Sequence, residues 1–343
     1  MCLLLVAWAV AGRGGGFNSK LQGLALTAVG VQFNVFANCI MKTVSNVPVV
    51  QLIQIRFLIQ WVCTLGISVA LRLLGKSNHF FGKPGNQRIL LLRAICYAVA
   101  LISMWTALDL LPLGDLTVLV KLNPVICGIL ASCLLSEPLG WNFWGQAGIS
   151  FAGILCVTGA NFTGSSTVSY QQGALLAVLS AFGYAAMNIC AAAIKREAKP
   201  TEIQFYTDTA MAFVIAPASL LFSADVFDWS SVNFDVLLRV AAATGFGLCN
   251  LLLTTWGLQL APASTVSLFS FLEVPGAFLV QILLLGEVFD YKKMFGASLV
   301  VIAAAYIFWR EASRSRTESE KPLVNEAELE SMTDETRQPL LGA

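Results

Sequence analysis

Charge is what this chain has least of. Asp, Glu, Lys and Arg make up only 12% of its 343 residues, hydrophobic residues make up 57%, and the mean hydropathy is +0.74. Soluble domains carry roughly twice that share of charge, so an ordinary soluble fold is excluded. Two stretches, Pro138 to Ile194 and Val240 to Leu272, hold no Asp, Glu, Lys, Arg or His at all. One bilayer crossing takes about 20 apolar residues, so the first stretch holds two crossings and the second more than one. Neither stretch alternates polar with apolar residues as a barrel strand must. Histidine is nearly absent too: His79 stands alone, in a loop between Lys76 and Lys83. That excludes a His-based triad or a multi-His metal centre within one chain. No Gly-rich phosphate loop is present, so no enzyme, cofactor or metal is expected. Nine cysteines include no CxxC pair, so neither a zinc site nor a disulfide framework is indicated. All but Cys2 fall in apolar runs and read as small packing residues.

What is present is a repeated phrase. Leu134-Leu135-Ser136-Glu137-Pro138 returns as Leu284-Leu285-Gly286-Glu287-Val288, 150 positions on (284 − 134 = 150). Pro112 and Pro262, just ahead of the apolar run before each copy, lie the same distance apart. So long a period marks a duplicated half, a construction used by membrane carriers. The expected fold is an all-α polytopic membrane protein of ten transmembrane helices in two inverted five-helix repeats. The helices are expected near residues 21–41, 49–71, 90–110, 115–135, 142–160, 172–194, 203–223, 236–259, 264–285 and 293–310. They divide the chain into an N-terminal segment (1–20), a first repeat (21–160), a non-cytosolic linker (161–171), a second repeat (172–310) and a tail (311–343). Spans four and nine carry the duplicated phrase and stand five apart. An odd shift reverses the direction of crossing, which makes the repeat an inverted one.

Lys and Arg collect on the cytosolic side of membrane proteins. A cytosolic N-terminus puts twelve of them on that side: Arg13, Lys20, Arg72, Lys76, Lys83, Arg88, Lys195, Arg196, Lys199, Arg310, Arg314 and Arg316. Only four, Lys42, Arg239, Lys292 and Lys293, fall opposite. Both termini are therefore expected in the cytosol, in an endomembrane (Golgi or endolysosomal) or the plasma membrane. Residues 1–12 are apolar with AxA-type sites, a candidate short signal peptide. Asn161-Phe-Thr163 is a glycosylation sequon on the far side. Residues 311–343 carry eight acidic and four basic residues and are expected to be disordered. Their Leu340-Leu341 pair is a candidate site for a sorting adaptor.

Ionisable residues inside a span are expensive and usually face a cavity or a partner. Arg56 is the clearest, set deep among apolar neighbours in span two, where snorkelling does not easily explain it. Arg93 lies close enough to the cytosolic edge to snorkel, and Asp208 close enough to be interfacial. Lys121 and Glu273 fall two residues out of register on equivalent helices, each followed by a proline, Pro124 or Pro275, that bends a span where a cavity can open. They are either a structural ion pair or part of a central site. In the second case Arg56 and Lys121 hold an anionic group while Glu273 pairs or exchanges a proton. Asn34, Asn38, Asn188, Asn250 and Gln32 could supply hydrogen bonds, or could simply join helices. Gly148/Ala152 and Ala181/Ala185 read as packing seams, and Trp105, Trp141, Trp144 and Trp256 as interface anchors.

Several of these residues also carry a resemblance. Leu111-Pro-Leu-Gly-Asp-Leu-Thr117, Asn123-Pro124, Leu135-Ser-Glu137-Pro-Leu, Arg56 and Arg93 resemble the drug/metabolite transporter superfamily, in its EamA-domain branch and near the solute carrier family 35 group G-like proteins. The likeness spans roughly residues 20–310. It implies a secondary carrier of nucleotide sugars, amino acids, organic metabolites or drugs, working by exchange or proton coupling. Lys121-Leu-Asn123 departs from the small hydroxyl residues that similar proteins place ahead of the span-four proline, which favours an anionic substrate. The expected partners are thus a small-molecule substrate and the lipid bilayer, with a homodimer left open and no nucleic acid. The competing expectation is a non-transporting membrane adaptor that acts through the cytosolic tail.

Overall fold

The structure is a computed structural model that describes residues 19–44, 47, 49–75, 85–108, 110–158, 168–194, 197–215, 217, 232–285 and 291–313. The signal-like segment, the Asn161 sequon, Glu287 and the Leu340-Leu341 pair lie outside the described residues. Among those described, every regular element is helical: α1 (Ser19–Lys42), α2 (Val49–Leu73), α3 (Gln87–Leu108), α4 (Leu113–Val120), α5 (Asn123–Leu135), α6 (Trp141–Thr158), α7 (Val168–Ile194) and α8 (Pro200–Ala210) come first. A π-helical turn, Met211–Ile215, extends α8. Then follow α9 (Phe234–Leu260), α10 (Ala263–Phe269), a 3-10 turn (Ser270–Leu272), α11 (Glu273–Leu285) and α12 (Tyr291–Ser313).

Eight segments of the described residues are helical, long and apolar enough to cross a membrane. They correspond to the expected spans one to four, six and eight to ten. The helix at span five, α6, is present but diluted by Asn142, Trp144 and Gln146 in its first turns. At span seven, α8 and its π turn lead into residues beyond those described. The surface chemistry is that of a protein solvated by lipid. On α3 the exposed side is Leu91, Leu92, Ile95, Val99 and Ile102, while Arg93, Tyr97 and Ser103 point inward. A water-soluble helix would reverse that order. This is an integral, multi-pass membrane protein.

Two long contacts organise the bundle: α1 runs along α9, and α3 runs along α7. Small residues allow the first. A Cβ on Gly23 would lie 3.0 Å from the Gly257 carbonyl, and one on Gly30 would lie 3.1 Å from the Leu253 Cβ. Gly183 does the same work for the second, 2.9 Å from the Cys96 carbonyl by the same measure. Packing without bulky side chains is how membrane helices gain van der Waals contact when lipid offers no hydrophobic drive. Of the seams read from sequence, Ala181 and Ala185 are fully buried, whereas Gly148 meets nothing within 4 Å. The seam on α6 is Gly153, whose Cβ would approach the Gly296 carbonyl of α12 to 2.6 Å. Trp141 and Trp144 are exposed, as anchors should be, but Trp105 and Trp256 pack against core clusters. Among the described residues seven cysteines are free thiols; Cys249 is disulfide-bonded, which corrects the reading of every cysteine in an apolar run as a packing residue.

Spans four and nine are each broken, and in the same place. Pro112 caps α4 with φ −56° and ψ 140°, and Pro262 caps α10 with φ −57° and ψ 135°. The helices after the breaks, α5 and α11, begin at Asn123 and Glu273 and end at Leu135 and Leu285, each pair 150 apart. Proline explains the first break. The Pro124 ring clashes with the carbonyl four residues back, that of Val120, where α4 stops; inside the first turn of α5 its missing N–H is harmless. The repeated phrase has a structural job as well. Glu137 accepts hydrogen bonds from the backbone N–H groups of Ala263 and Ser264 at 2.9 and 3.0 Å, and from the Ser264 hydroxyl at 2.7 Å. The glutamate that follows one broken span therefore caps the first helix of the other, where the helix dipole favours a negative charge.

Candidate functional site

The breaks bring opposite charges together. Lys121 is the C-cap of α4 and Glu273 the first residue of α11, the ends of their helices that favour a cation and an anion respectively. Lys121 Nζ lies 2.6 Å from Glu273 Oε2. The other carboxylate oxygen accepts from Asn34 Nδ2 at 2.8 Å and from Asn38 Nδ2 at 3.2 Å. Both asparagines come from α1, one turn apart. Gln32 on the same helix donates to the Leu272 carbonyl at 3.3 Å, a backbone group beside the break. The side chains of Lys121 and Glu273 keep 12% and 23% of their exposure, and Asn38 is exposed. This pair is accessible, not sealed.

Arg56 stands apart from the pair. It reaches from α2 to α9, so that a Cβ on Gly247 would lie 2.9 Å from its Nη2. Among the described residues it makes no salt bridge, and its buried Nε has no hydrogen-bond partner. Tyr184 of α7 donates its hydroxyl to Met104 Sδ at 3.7 Å. Its ring is 6.3 Å from that of Tyr97. Asn188 follows Tyr184 by one turn on the same helix, half-buried. Asn250 is engaged locally, accepting from Thr254 Oγ1 at 3.1 Å. Of the residues singled out in the sequence, the structure gathers Lys121, Glu273, Asn34 and Asn38 into direct contact. Arg56 packs against Gly247, Asn188 lies one turn beyond Tyr184 on α7, and Asn250 is bonded within its own helix. Lys121 and Glu273 neutralise each other, whereas Arg56 has no ion-pair partner among the described residues.

The geometry can be set beside known proteins. The EamA-like transporter family matches the chain twice, over residues 20–159 and 171–309. The chain belongs to that family. The two EamA matches fall on the two halves and include all the residues just described. Solute carrier family 35 member G1 of Homo sapiens is 23% identical over 283 residues, covering 80% of this chain and 76% of that protein. One solved crystal structure superposes with a TM-score of 0.71 at 17% identity, over 85% of this chain and 98% of that one. At that identity it speaks for the fold. As an EamA-like protein the chain is a membrane transporter and not a member of an enzyme family.

A second polar cluster lies deeper in this EamA-like bundle. Arg93 is 1% exposed and Asp208 is 0%, so Arg93 does not snorkel and both side chains turn into the bundle. Arg93 donates to Thr207 Oγ1, to Gln204 Oε1 at 3.4 Å and to Thr255 Oγ1 at 3.5 Å. Asp208 Oδ1 accepts from Gln60 Nε2 at 2.6 Å and from Gln204 Nε2 at 2.7 Å. The spacing held a signal that single-residue reasoning passed over. Gln60 and Thr64 on α2, like Gln204 and Asp208 on α8, are polar pairs at i,i+4, one above the other on a helix face.

Proposed function

We propose that the chain is a secondary active transporter of a small organic anion, such as a nucleotide sugar or an organic acid. It works by alternating access around the broken spans. The observation that carries this is Arg56. A cation inside a span is expensive unless it is paired, and here the neighbouring carboxylate is already taken by Lys121. An anionic substrate supplies the missing partner. Asn34, Asn38 and Asn188 provide hydrogen bonds around it, and Lys121–Glu273 opens or exchanges a proton as the substrate arrives. Glu273 is thus the group that sets coupling, and Arg56 the group that sets charge selectivity.

Ten spans in two inverted halves are the architecture that suits this work, with α4–α5 and α10–α11 each counted as one broken span. Its support is an exchange rule in the packing. Shifting every span by five turns the α1–α9 contact into α7–α3, turns α5–α7 into α11–α1, and turns α2–α9 into α8–α3; all six contacts occur. An odd shift between halves reverses their orientation, so that rocking one against the other opens the site to each side in turn. The excess of Lys and Arg on one side supports cytosolic termini.

The test is ligand-induced thermal stabilisation of the purified protein against a panel of small carboxylates, phosphates and nucleotide sugars, since a ligand that binds the folded state alone raises its stability by mass action. A stabilising anion is expected, and its shift should vanish in Arg56→Ala while the unliganded melting point persists. A panel that stabilises wild type and Arg56→Ala equally would overturn the assignment. Deleting residues 312–343 should leave the shift intact; an adaptor acting through its tail has no reason to show one.

A further inference from the structure

Asp208 and Gln60, joined by one hydrogen bond, each leave a buried acceptor without a partner among the described residues. Gln60 donates its amide N–H to Asp208 Oδ1. Among the described residues the remaining atoms of the two groups, Gln60 Oε1 and Asp208 Oδ2, are buried and have no hydrogen-bond partner. Both oxygens are acceptors when the carboxyl is ionised, so neither can satisfy the other. One proton changes that. A carboxylic acid and a primary amide are complementary, each with one donor and one acceptor, so a proton on Oδ2 turns one orphan into the donor the other lacks.

The surroundings agree. A buried charge without an opposite partner in contact is costly, and no salt bridge joins Asp208 to Arg93. Gln204 stands between them, with its amide nitrogen on Asp208 and its oxygen on Arg93. Facing the carboxyl from α2 are Gln60, Thr64 and Cys63, and from α3 Arg93 and Tyr97. Thr255 of α9 and Cys190 of α7 lie beside the Arg93 guanidinium. Arg93 is the one cation of this set, and its Nε also has no partner among the described residues. The π turn Met211–Ile215 starts three residues after Asp208, and such turns often mark functional positions in a helix.

We propose that Asp208 is a proton-binding site, neutral in this conformation and bonded through its Oδ2 proton to Gln60 Oε1. The proton comes from and returns to water. Once it leaves, the carboxylate takes Arg93 as its counter-ion by displacing the Gln204 amide, which draws α8 towards α3. Use of this proton to drive transport rests on the carrier reading given above; its presence on Asp208 does not.

Asp208→Asn separates the protonation states, because a carboxamide reproduces the hydrogen bonds of the neutral acid but not the charge of the carboxylate. Purified full-length wild type and variant are compared by infrared spectroscopy at neutral pH and by thermal unfolding. The expected result is a protonated-carboxyl stretch in wild type that disappears in the variant, with no loss of melting temperature. The proposal fails if that spectral region is the same in both proteins. It fails equally if Asp208→Asn melts about 10 °C lower, the mark of a buried Arg93 stripped of its anion. Neither readout uses a substrate, so failure here leaves the Arg56 site standing, and failure at Arg56 leaves this one.

Discussion

The broken span made of α4 and α5 follows the same chain path as the one made of α10 and α11. Each has a proline cap, a short helix, an interruption and a longer helix, with the second copy 150 positions on. At the interruption the copies part company, since the first carries Lys121 and the second Glu273. A shared backbone path can be repeated without conflict, and α5 and α11 end at positions 150 apart. Charge is needed once, because two lysines or two glutamates at the centre would repel. Duplication therefore kept the path and changed the side chains, and the 2.6 Å contact is where the change became complementary.

The most severe way to break that relation is to make the copies alike. Glu273→Lys places two cations at the break and removes the acceptor of Asn34 and Asn38. Setting two cations side by side at this part-buried site is expected to lower stability by about 2–3 kcal/mol, read by thermal unfolding in detergent. Exchanging the pair, Lys121→Glu with Glu273→Lys, should recover at least half of the loss. A double variant no better than Glu273→Lys alone would mean that the partners around each charge, and not the pair itself, set its worth.

A smaller break lies at the crossing between copies, where Glu137 caps α10. Removing the acceptor in Glu137→Ala exposes two backbone N–H groups and the Ser264 hydroxyl. N-cap losses of this kind amount to about 1–2 kcal/mol, measurable as a lower melting temperature. Glu137→Gln retains an acceptor oxygen without the charge and should fall between. An unchanged melting temperature in Glu137→Ala would show that water takes over the cap.

The membrane class, eight of the ten expected spans and the 150-residue period were legible because apolar runs and proline positions are one-dimensional signals. So was the approach of Lys121 to Glu273, since a repeat offset is a crude contact map. The hydrogen bonds of Asn34 and Asn38 to the same carboxylate were not, because an asparagine in a span reads the same whether it joins helices or serves a site. The inward turn of Arg93 and Asp208 was hidden for a related reason. Distance from the end of a span measures depth along the membrane, whereas burial depends on which way the helix faces. Only polar partners on α2, α8 and α9 together reveal the direction, and these lie up to 195 positions apart (255 − 60 = 195). The work of Glu137 was hidden too, since its partners Ala263 and Ser264 sit in the other half.

The gentlest way to sharpen the comparison is to make the copies more alike where they differ by one atom group. Ser136 lies in the left-handed region with φ 55°, the one non-glycine to do so among the described residues. Its counterpart in the second phrase is Gly286. A side chain in that region is strained by contact of Cβ with the following carbonyl, at a cost of about 1 kcal/mol, and glycine is the usual residue just past a helix end. Ser136→Gly should therefore raise stability, less part of the gain because glycine also frees the unfolded chain. The expected net effect is a rise of about 0.5 kcal/mol, seen as a small upward shift in melting temperature. A fall would mean that the Ser136 hydroxyl contributes at this turn, and that the serine was kept in this copy for a bond and not merely tolerated.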